Sequence, residues 1–239
     1  MPDENLNAKL HHIPWNQKIL LFVGALTVGK GRQSLITALP NVLAEHPDEH
    51  LVIVGSGAYR EVLEALVYSI SRSNRELLLQ LCSQGNDLDR NELAGPWEDV
   101  QYFLQVKSNF TFLLKKGKTL DQHVHFLGRL YHSLLCYLFP CADVAIFPSI
   151  IPEAYPLVVM ASLSNGVLPM VSYFSGFRDS VDNLEPFLDQ ALIALMKIPT
   201  AHDVRVRSIA DNIHQLFTGQ YLENIGPTLR QIAVEYFDW

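Results

Sequence analysis

One segment of the chain carries residues whose types and spacing fit phosphate chemistry. In residues 24–31 (GALTVGKG), Lys30 follows an apolar run and precedes a helical pattern. A lysine beside a helix N-terminus is well placed to hold a diphosphate, because the ammonium and the helix dipole both favour an anion. The alternative is a solvated lysine at a helix start, where the dipole slightly disfavours a cation.

The same segment is close to the P-loop pattern GxxxxGK[ST], in which a hydroxyl group after the lysine binds Mg²⁺. Gly31 stands where that hydroxyl belongs. A Walker-B strand that ends in aspartate is also missing, since Asp143 begins its apolar run. A P-loop NTPase therefore stays an alternative, which Mg²⁺-dependent nucleotide hydrolysis would distinguish.

A second segment, residues 148–156 (PSIIPEAYP), places Glu153 just before a predicted helix. A carboxylate at that place has an ordinary use as a favourable charge at a helix N-terminus. Its sharper use is to accept hydrogen bonds from sugar hydroxyl groups while the helix amides face a phosphate. Residues 55–60 (GSGAYR) resemble only half of a dinucleotide fingerprint, and a tight strand–helix turn explains both glycines.

Histidines and cysteines give no comparable signal. His123, His125 and His132 lie close in sequence, but no cysteine or carboxylate completes a set of metal ligands, so no metal is expected. The three cysteines show no CxxC pair and indicate buried, reduced thiols in a cytoplasmic protein. We see no signal peptide and no apolar run of about 18 residues, so no transmembrane segment is expected.

The elements that must position these residues follow from the apolar pattern. Five short apolar runs alternate with helical patterns, at 18–26, 50–55, 123–130, 143–148 and 168–173. This alternation predicts an α/β protein with a doubly wound parallel sheet, whose ligands bind beyond the carboxyl ends of the strands. Residues 83–122 interrupt the rhythm and predict a helical insertion, and residues 187–239 predict a helical C-terminal part. The net charge of −7 disfavours a nucleic-acid partner.

Four motifs together resemble the C-terminal, donor-binding domain of a GT-B glycosyltransferase of family GT4 (glycosyl transferases group 1). They are VGALTVGKG at 23–31, VIVGSGAYREVLEAL at 52–66, VHFLGRL at 124–130, and ADVAIFPSIIPEAYPLVVMASLSNGVLPMVS at 142–172. The resemblance implies that residues 1–239 form one Rossmann-like half of a GT-B fold. It also implies retaining hexosyl transfer from a UDP-, GDP- or ADP-sugar with no obligatory metal or other cofactor.

The resemblance further implies roles for individual residues. Lys30 matches the family lysine on the diphosphate. Glu153 matches the first glutamate of the family's E-x7-E motif, which holds the donor sugar, and is the candidate catalytic residue. The other implied positions are Gly24, Tyr155, Leu157 and Val158 at the donor and diphosphate, and Gly128 and Arg129 in the nucleobase region.

Two departures from the family pattern reduce what the site can hold. Ala25 stands where the family usually has arginine, and Ala161 stands where it usually has the second glutamate, which binds the ribose. A degenerate, non-catalytic nucleotide- or sugar-binding or interaction domain on the same fold is therefore the alternative function. A GT-B cleft also needs an N-terminal acceptor-binding domain as partner, so we expect this chain alone to be inactive in transfer.

Overall fold

The computed structural model describes residues 3, 5–89 and 93–237. Residues 90–92 of the predicted insertion, and 1–2, 4 and 238–239 of the predicted domain, lie outside the described residues. All strand pairs of the six-stranded sheet are parallel, in the order β3-β2-β1-β4-β5-β6. The strands are β1 (Ile19–Val23), β2 (His50–Val54), β3 (Val124–Gly128), β4 (Val144–Phe147), β5 (Leu168–Ser172) and β6 (Lys197–Ile198).

Helices connect the strands and cover both faces of the sheet. The helices of the first part are α1 (Leu6–His12), α2 (Arg32–Glu45), α3 (Arg60–Ser71), α4 (Arg75–Gln84), α5 (Glu98–Gln105), α6 (Lys107–Lys116) and α7 (Leu120–His123). Those of the second part are α8 (His132–Leu138), α9 (Leu157–Ser164), α10 (Ser175–Asp182), α11 (Gln190–Met196), α12 (His202–Thr218) and α13 (Ile225–Phe237).

The strand order places a topological switch point between β1 and β4, which pair through Leu20 with Val144 and Leu21 with Ala145. Strands β1, β2, β4 and β5 are buried almost throughout, which explains their uninterrupted apolar sequences. The predicted α/β, doubly wound, Rossmann-like fold is confirmed. Ligands of such sheets bind where the strand order reverses.

Three local predictions were wrong. Residues 187–239 were predicted to be helical, and they include helices α11, α12 and α13, but Lys197–Ile198 form the edge strand β6; helix α10 was not predicted. The sequence pattern predicts a helix over residues 156–165 with Pro156 in its first turn, whereas Pro156 is the N-cap of α9, at φ −80° and ψ 86°. Cys136 and Cys141 are exposed, and only Cys82 is buried; all three thiols are free.

The predicted insertion packs against the sheet domain through buried side chains. It comprises α5, α6 and α7, whereas its predicted start lies inside α4, which ends at Gln84. Trp97 is 1% exposed and donates to the Tyr59 hydroxyl at 2.6 Å. The lysine-rich turn at 115–118 keeps its lysines exposed.

The extent of the domain stays a proposal. Among the described residues, no helix has the length and apolar character needed to cross a membrane.

Buried titratable groups collect at the amino-terminal edge of the sheet, away from the switch point. Burial and, after it, the nearby Asp143 raise the pKa of Glu49 from 4.5 to about 8. Burial and neighbouring histidines lower the pKa values of His50 and His125 from 6.5 to about 4. The rings of these two histidines are joined by a 2.9 Å contact between Nδ1 of His50 and Nε2 of His125.

These shifts predict a maximum of folding stability near pH 6.5. A depressed histidine pKa gives stability that is lost as the pH falls from 6.5 through about 4. A raised glutamate pKa gives stability that is lost as the pH rises from 4.5 through about 8. Urea unfolding across this range measures the effect. Glu49→Gln is expected to flatten the alkaline side and to steepen the acid side above pH 4.5, because the glutamate lowers stability over that whole interval. An unchanged alkaline slope in that variant would contradict the assignment to Glu49.

Candidate functional site

A cavity of about 280 Å³ opens at the switch point, between the carboxyl ends of β1 and β4. Phe22 of β1 and Phe147 of β4 line the cavity on the side of the sheet. The predicted site residues that line this cavity are Gly24, Ala25, Lys30, Glu153, Tyr155, Leu157 and Val158. Residues far apart in sequence therefore meet where an open α/β sheet binds its ligands.

Lys30 and Glu153 form an ion pair on the wall of this cavity, between Nζ and Oε1. Both side chains stay partly accessible, at 28% and 21%. The lysine ends a short 3₁₀ turn, Val28–Lys30, that connects β1 to α2. An ammonium and a carboxylate that touch at a solvent-accessible wall can each exchange the partner for a ligand group of opposite charge or for a hydroxyl group.

The loop that carries Glu153 is held on both sides. The backbone oxygen of Glu153 accepts from the Gly176 amide at 2.8 Å and from the Ser175 hydroxyl at 3.0 Å. The buried Ser149 hydroxyl lies 3.3 Å from Oε1 of Glu153 and 3.1 Å from the Gly29 oxygen. Ser149 therefore links the glutamate loop to the lysine turn.

Gly31 shapes the lysine turn by its left-handed backbone, at φ +69°. A Cβ atom there would lie 1.7 Å from the carbonyl oxygen of Pro148. The position that a P-loop gives to a Mg²⁺-binding Ser or Thr therefore has no room for any side chain. The geometry disfavours the NTPase alternative for a steric reason, beyond the missing hydroxyl group.

Three predicted positions lie apart from the cavity lining. Gly128, at φ +75°, ends β3, and Asp3 lies directly over it, where a glycine Cβ would meet Asp3 Oδ1 at 2.3 Å. Arg129 is exposed. Ala161 lies half-buried on α9 and packs against the core. The predicted nucleobase region and the second-glutamate position are thus not among the residues that line the cavity.

Asp3 makes a compact ionic cluster at that β3 end. Nη1 and Nη2 of Arg60 donate to its two carboxylate oxygens at 2.7 and 2.9 Å, and Lys9 donates to the same group. Arg60, opposed by partial burial and supported by Lys9, lowers the pKa of Asp3 from 3.8 to about 2. These contacts join Asp3 to the first residue of α3 and to Lys9 of α1.

Sequence reasoning missed Arg205, whose guanidinium joins three strand ends behind the site. Its Nη2 donates to the oxygens of Pro148 at 2.6 Å, of Ser149 at 3.0 Å and of the Ser172 hydroxyl at 2.8 Å. Its Nη1 donates to the Pro199 oxygen at 3.0 Å. The side chain is 2% exposed, and burial lowers its pKa although the Asp99 carboxylate opposes that shift. This clamp fixes the start of the loop that carries Glu153.

A second missed arginine, Arg32, lies buried at the start of α2. Its Nη1 donates to the Ala25 oxygen at 2.8 Å, and its Nη2 donates to the Thr27 oxygen. Burial lowers its pKa. A signal for both arginines existed in the sequence, because each lies on the apolar stripe of its helix: Arg32 with Leu35, Ile36 and Leu39, and Arg205 with Ile209, Ile213 and Leu216.

The histidines do not form the grouping that their spacing suggested. His123 and His125 lie with His50 rather than with the exposed His132, and the His50 and His123 rings stack at 4.8 Å. Among residues 3, 5–89 and 93–237, no group of three or more His, Cys, Asp or Glu residues is arranged to hold a metal ion.

Comparison with known proteins relates the chain to glycosyltransferases. Residues 3–85 match the family model described as Glycosyl transferases group 1. Over 64 residues the chain is 42% identical to an uncharacterized glycosyltransferase of Methanocaldococcus jannaschii. This alignment covers 27% of this chain and 16% of that protein. Over 44 residues it is 48% identical to a GDP-mannose-dependent monoacylated alpha-(1-6)-phosphatidylinositol monomannoside mannosyltransferase of Corynebacterium glutamicum, covering 18% of this chain and 12% of that protein.

Solved structures agree at the level of the fold. HepE of Anabaena, crystallised with UDP-glucose, superposes with a TM-score of 0.58 at 16% identity, over 99% of this chain and 50% of that one. The structural neighbours are glycosyltransferases of the GT-B fold, so the Rossmann-like GT-B architecture is confirmed. The chain spans half or less of the length of these three proteins.

Proposed function

We propose that this chain is the donor-binding half of a retaining GT4-type glycosyltransferase that uses a nucleoside diphosphate sugar. The observation that carries the proposal is the Lys30–Glu153 pair, which lines the cavity at the switch point together with Gly24 and the start of α9. A cation, a carboxylate and a helix N-terminus around one cavity suit a ligand that combines a diphosphate with a polyhydroxylated ring.

In this proposal the two charged side chains separate when the donor binds. Lys30 moves its hydrogen bonds to the diphosphate, and Glu153 accepts hydrogen bonds from sugar hydroxyl groups. The backbone at Tyr155, Leu157 and Val158 meets the sugar and the phosphates at the start of α9. Pro156 contributes no donor, because a proline nitrogen carries no hydrogen atom.

The nucleotide is UDP, GDP or ADP in this proposal. Relatives and structural neighbours carry names with GDP-mannose and UDP-glucose, which support a nucleoside diphosphate without choosing the base. No metal or other cofactor is part of the proposed chemistry, and the surroundings are cytoplasmic. Gly128 and Arg129 remain the proposed nucleobase region, which requires the Asp3 cluster to rearrange or the base to lie beside it.

Transfer to an acceptor requires a second, acceptor-binding domain in this proposal, because an open donor edge does not exclude water. UDP-glucose, GDP-mannose or ADP-glucose incubated with this chain is then expected to be hydrolysed slowly at most. A second candidate function is a binding domain without catalysis, which the missing arginine at Ala25 and the missing glutamate at Ala161 favour. Binding without any turnover by the complete protein would select this second function.

Calorimetric titration of UDP, GDP and ADP tests the proposed site directly. Lys30→Ala is expected to lower the affinity for the nucleotide that binds most tightly by about 10–100-fold, which corresponds to the loss of one hydrogen bond to a charged group. Lys18→Ala is the matched control, because Lys18 makes the same kind of ion pair, 2.8 Å from Asp143, at the opposite edge of the sheet. Equal affinities in the wild type and Lys30→Ala would overturn the assignment.

Glu153→Gln separates the two proposed roles. Because the variant removes a negative charge beside the diphosphate, it is expected to bind the free nucleotide at least as tightly as the wild type. It is expected to lose affinity for the nucleotide sugar, since a carboxylate accepts stronger hydrogen bonds than an amide. The opposite pattern would contradict the role of Glu153 at the sugar.

A further inference from the structure

Arg32 is a buried cation that forms no ion pair with any residue the structure describes. Its side chain is 0% exposed, and its Nε atom has no hydrogen-bond partner. Among the residues that the structure describes, no carboxylate oxygen lies within ion-pair distance of its guanidinium. Its hydrogen bonds go to two neutral carbonyl oxygens, of Ala25 at 2.8 Å and of Thr27. A buried guanidinium is costly unless nearby negative charge compensates it.

The Asp89 carboxylate is the negative group whose charge opposes the effect of burial on Arg32, and it does so without forming an ion pair with it. Asp89 and Tyr59 both act electrostatically on it. The Asp89 carboxylate accepts a hydrogen bond from the Val28 amide at 2.6 Å. Burial raises the pKa of the Tyr59 hydroxyl, so that side chain is neutral at ordinary pH.

The guanidinium lies directly behind the wall of the candidate donor cavity. Its central carbon is 4.7 Å from the centre of the Phe22 ring, and Phe22 lines the cavity. Ala25, whose carbonyl oxygen it holds, lines the same wall. A charge placed behind an apolar wall is weakly screened, so it acts on the cavity across the ring.

We propose that Arg32 supplies a fixed positive charge that makes this cavity select its ligands by the number of their phosphate charges. This inference rests on the proposed function, because it assigns a determinant of specificity to the same donor site. Arg32 acts from within the core and does not touch the ligand. It therefore adds a positive potential at the wall beside Ala25 to the charge of Lys30, which lines the same cavity.

The size of the effect follows from Coulomb's law. A unit charge about 8 Å from a ligand charge, at an effective dielectric constant near 20, corresponds to about a 30-fold change in affinity. Because UDP carries more than one negative charge, loss of the guanidinium charge is expected to weaken UDP binding by at least about 30-fold. UMP, which carries less charge, is expected to lose less, and uridine is expected to change by less than about twofold.

The test compares uridine, UMP and UDP on the wild type, Arg32→Met, Arg32→Gln and Arg32→Lys. Calorimetry measures the nucleotides, and ligand-observed NMR measures the nucleoside; guanosine or adenosine compounds replace this series if GDP or ADP binds more tightly. Arg32→Met removes charge at similar length, and Arg32→Gln is the neutral variant to use if the methionine variant does not fold. Arg32→Lys restores the charge and is expected to restore the preference for UDP over uridine.

The outcomes separate the possible explanations. A loss that grows with ligand charge and is reversed by lysine supports the proposal. An equal loss for all three ligands shows that Arg32 only holds the backbone at Ala25 and Thr27, and it overturns the proposal. A wild type that binds none of these ligands contradicts the donor site itself, which is a failure of the proposed function rather than of Arg32.

Discussion

Asp99→Ala is expected to lower the free energy of unfolding by about 3–5 kcal/mol, because it leaves Arg205 charged and unpaired in the core. Oδ2 of Asp99 lies 3.4 Å from Nε of Arg205, and the two side chains are 5% and 2% exposed. The same carboxylate accepts a hydrogen bond from the Ser34 hydroxyl group. Urea unfolding followed by circular dichroism measures the loss.

An exposed pair at the same N···O distance provides the control. Arg72 and Asp121 are also 3.4 Å apart, but their side chains are 62% and 38% exposed. Asp121→Ala is therefore expected to cost less than about 1 kcal/mol. The double variant Asp99→Leu, Arg205→Met is expected to recover part of the loss, because it buries no charge. A cost for Asp99→Ala as small as that of the control would contradict this account.

This pair also changes the expectation for the insertion. From the sequence alone, an insertion at residues 83–122 is expected to be removable while the sheet stays folded, since long surface insertions cost little loop entropy. Asp99 and the buried Trp97 belong to that segment. Its deletion removes the counter-charge of Arg205 and part of the core, so the contacts favour loss of cooperative unfolding.

Gly31→Ala is expected to be the most disruptive single-methyl substitution near the site. Two effects lower the stability of this variant. A non-glycine residue is strained at φ +69°, and its Cβ atom would lie 1.7 Å from the Pro148 oxygen. The backbone cost alone is about 1–2 kcal/mol. Since the clash is with backbone, the lysine turn or the glutamate loop must move, and we expect a total loss above about 4 kcal/mol. Thermal unfolding and nucleotide affinity measure the two consequences.

Gly95→Ala isolates the backbone cost. Gly95 has φ +86°, and a Cβ atom there meets nothing within 4 Å. This variant is expected to lose only about 1–2 kcal/mol and to keep nucleotide affinity. Gly31→Ser is expected to behave like Gly31→Ala and to show no Mg²⁺-dependent hydrolysis. Equal losses at positions 31 and 95 would show that the contact with Pro148 carries no energy.

The sequence by itself determined the sheet and the placement of the two central charges. Strands buried on both faces require continuous apolar runs, and this local pattern is visible in β1, β2, β4 and β5. Because Lys30 and Glu153 follow two of these strands, a parallel sheet must bring both residues to one edge. That they touch depends on the loop conformations, which Gly31 and the Glu153 backbone contacts fix.

The tertiary structure alone decided β6 and the two buried arginines. Two residues are too few to carry a periodic pattern, so Lys197–Ile198 form a strand only because β5 offers its open edge. An arginine on an apolar stripe indicates a misfit, but only the folded chain supplies the carbonyl oxygens that accept its hydrogen bonds. These oxygens come from loops that meet only at the sheet edge. Non-local hydrogen bonds of this kind leave no periodicity in the sequence. The positions of the Arg32 and Arg205 guanidinium groups beside the site therefore follow only from the folded structure.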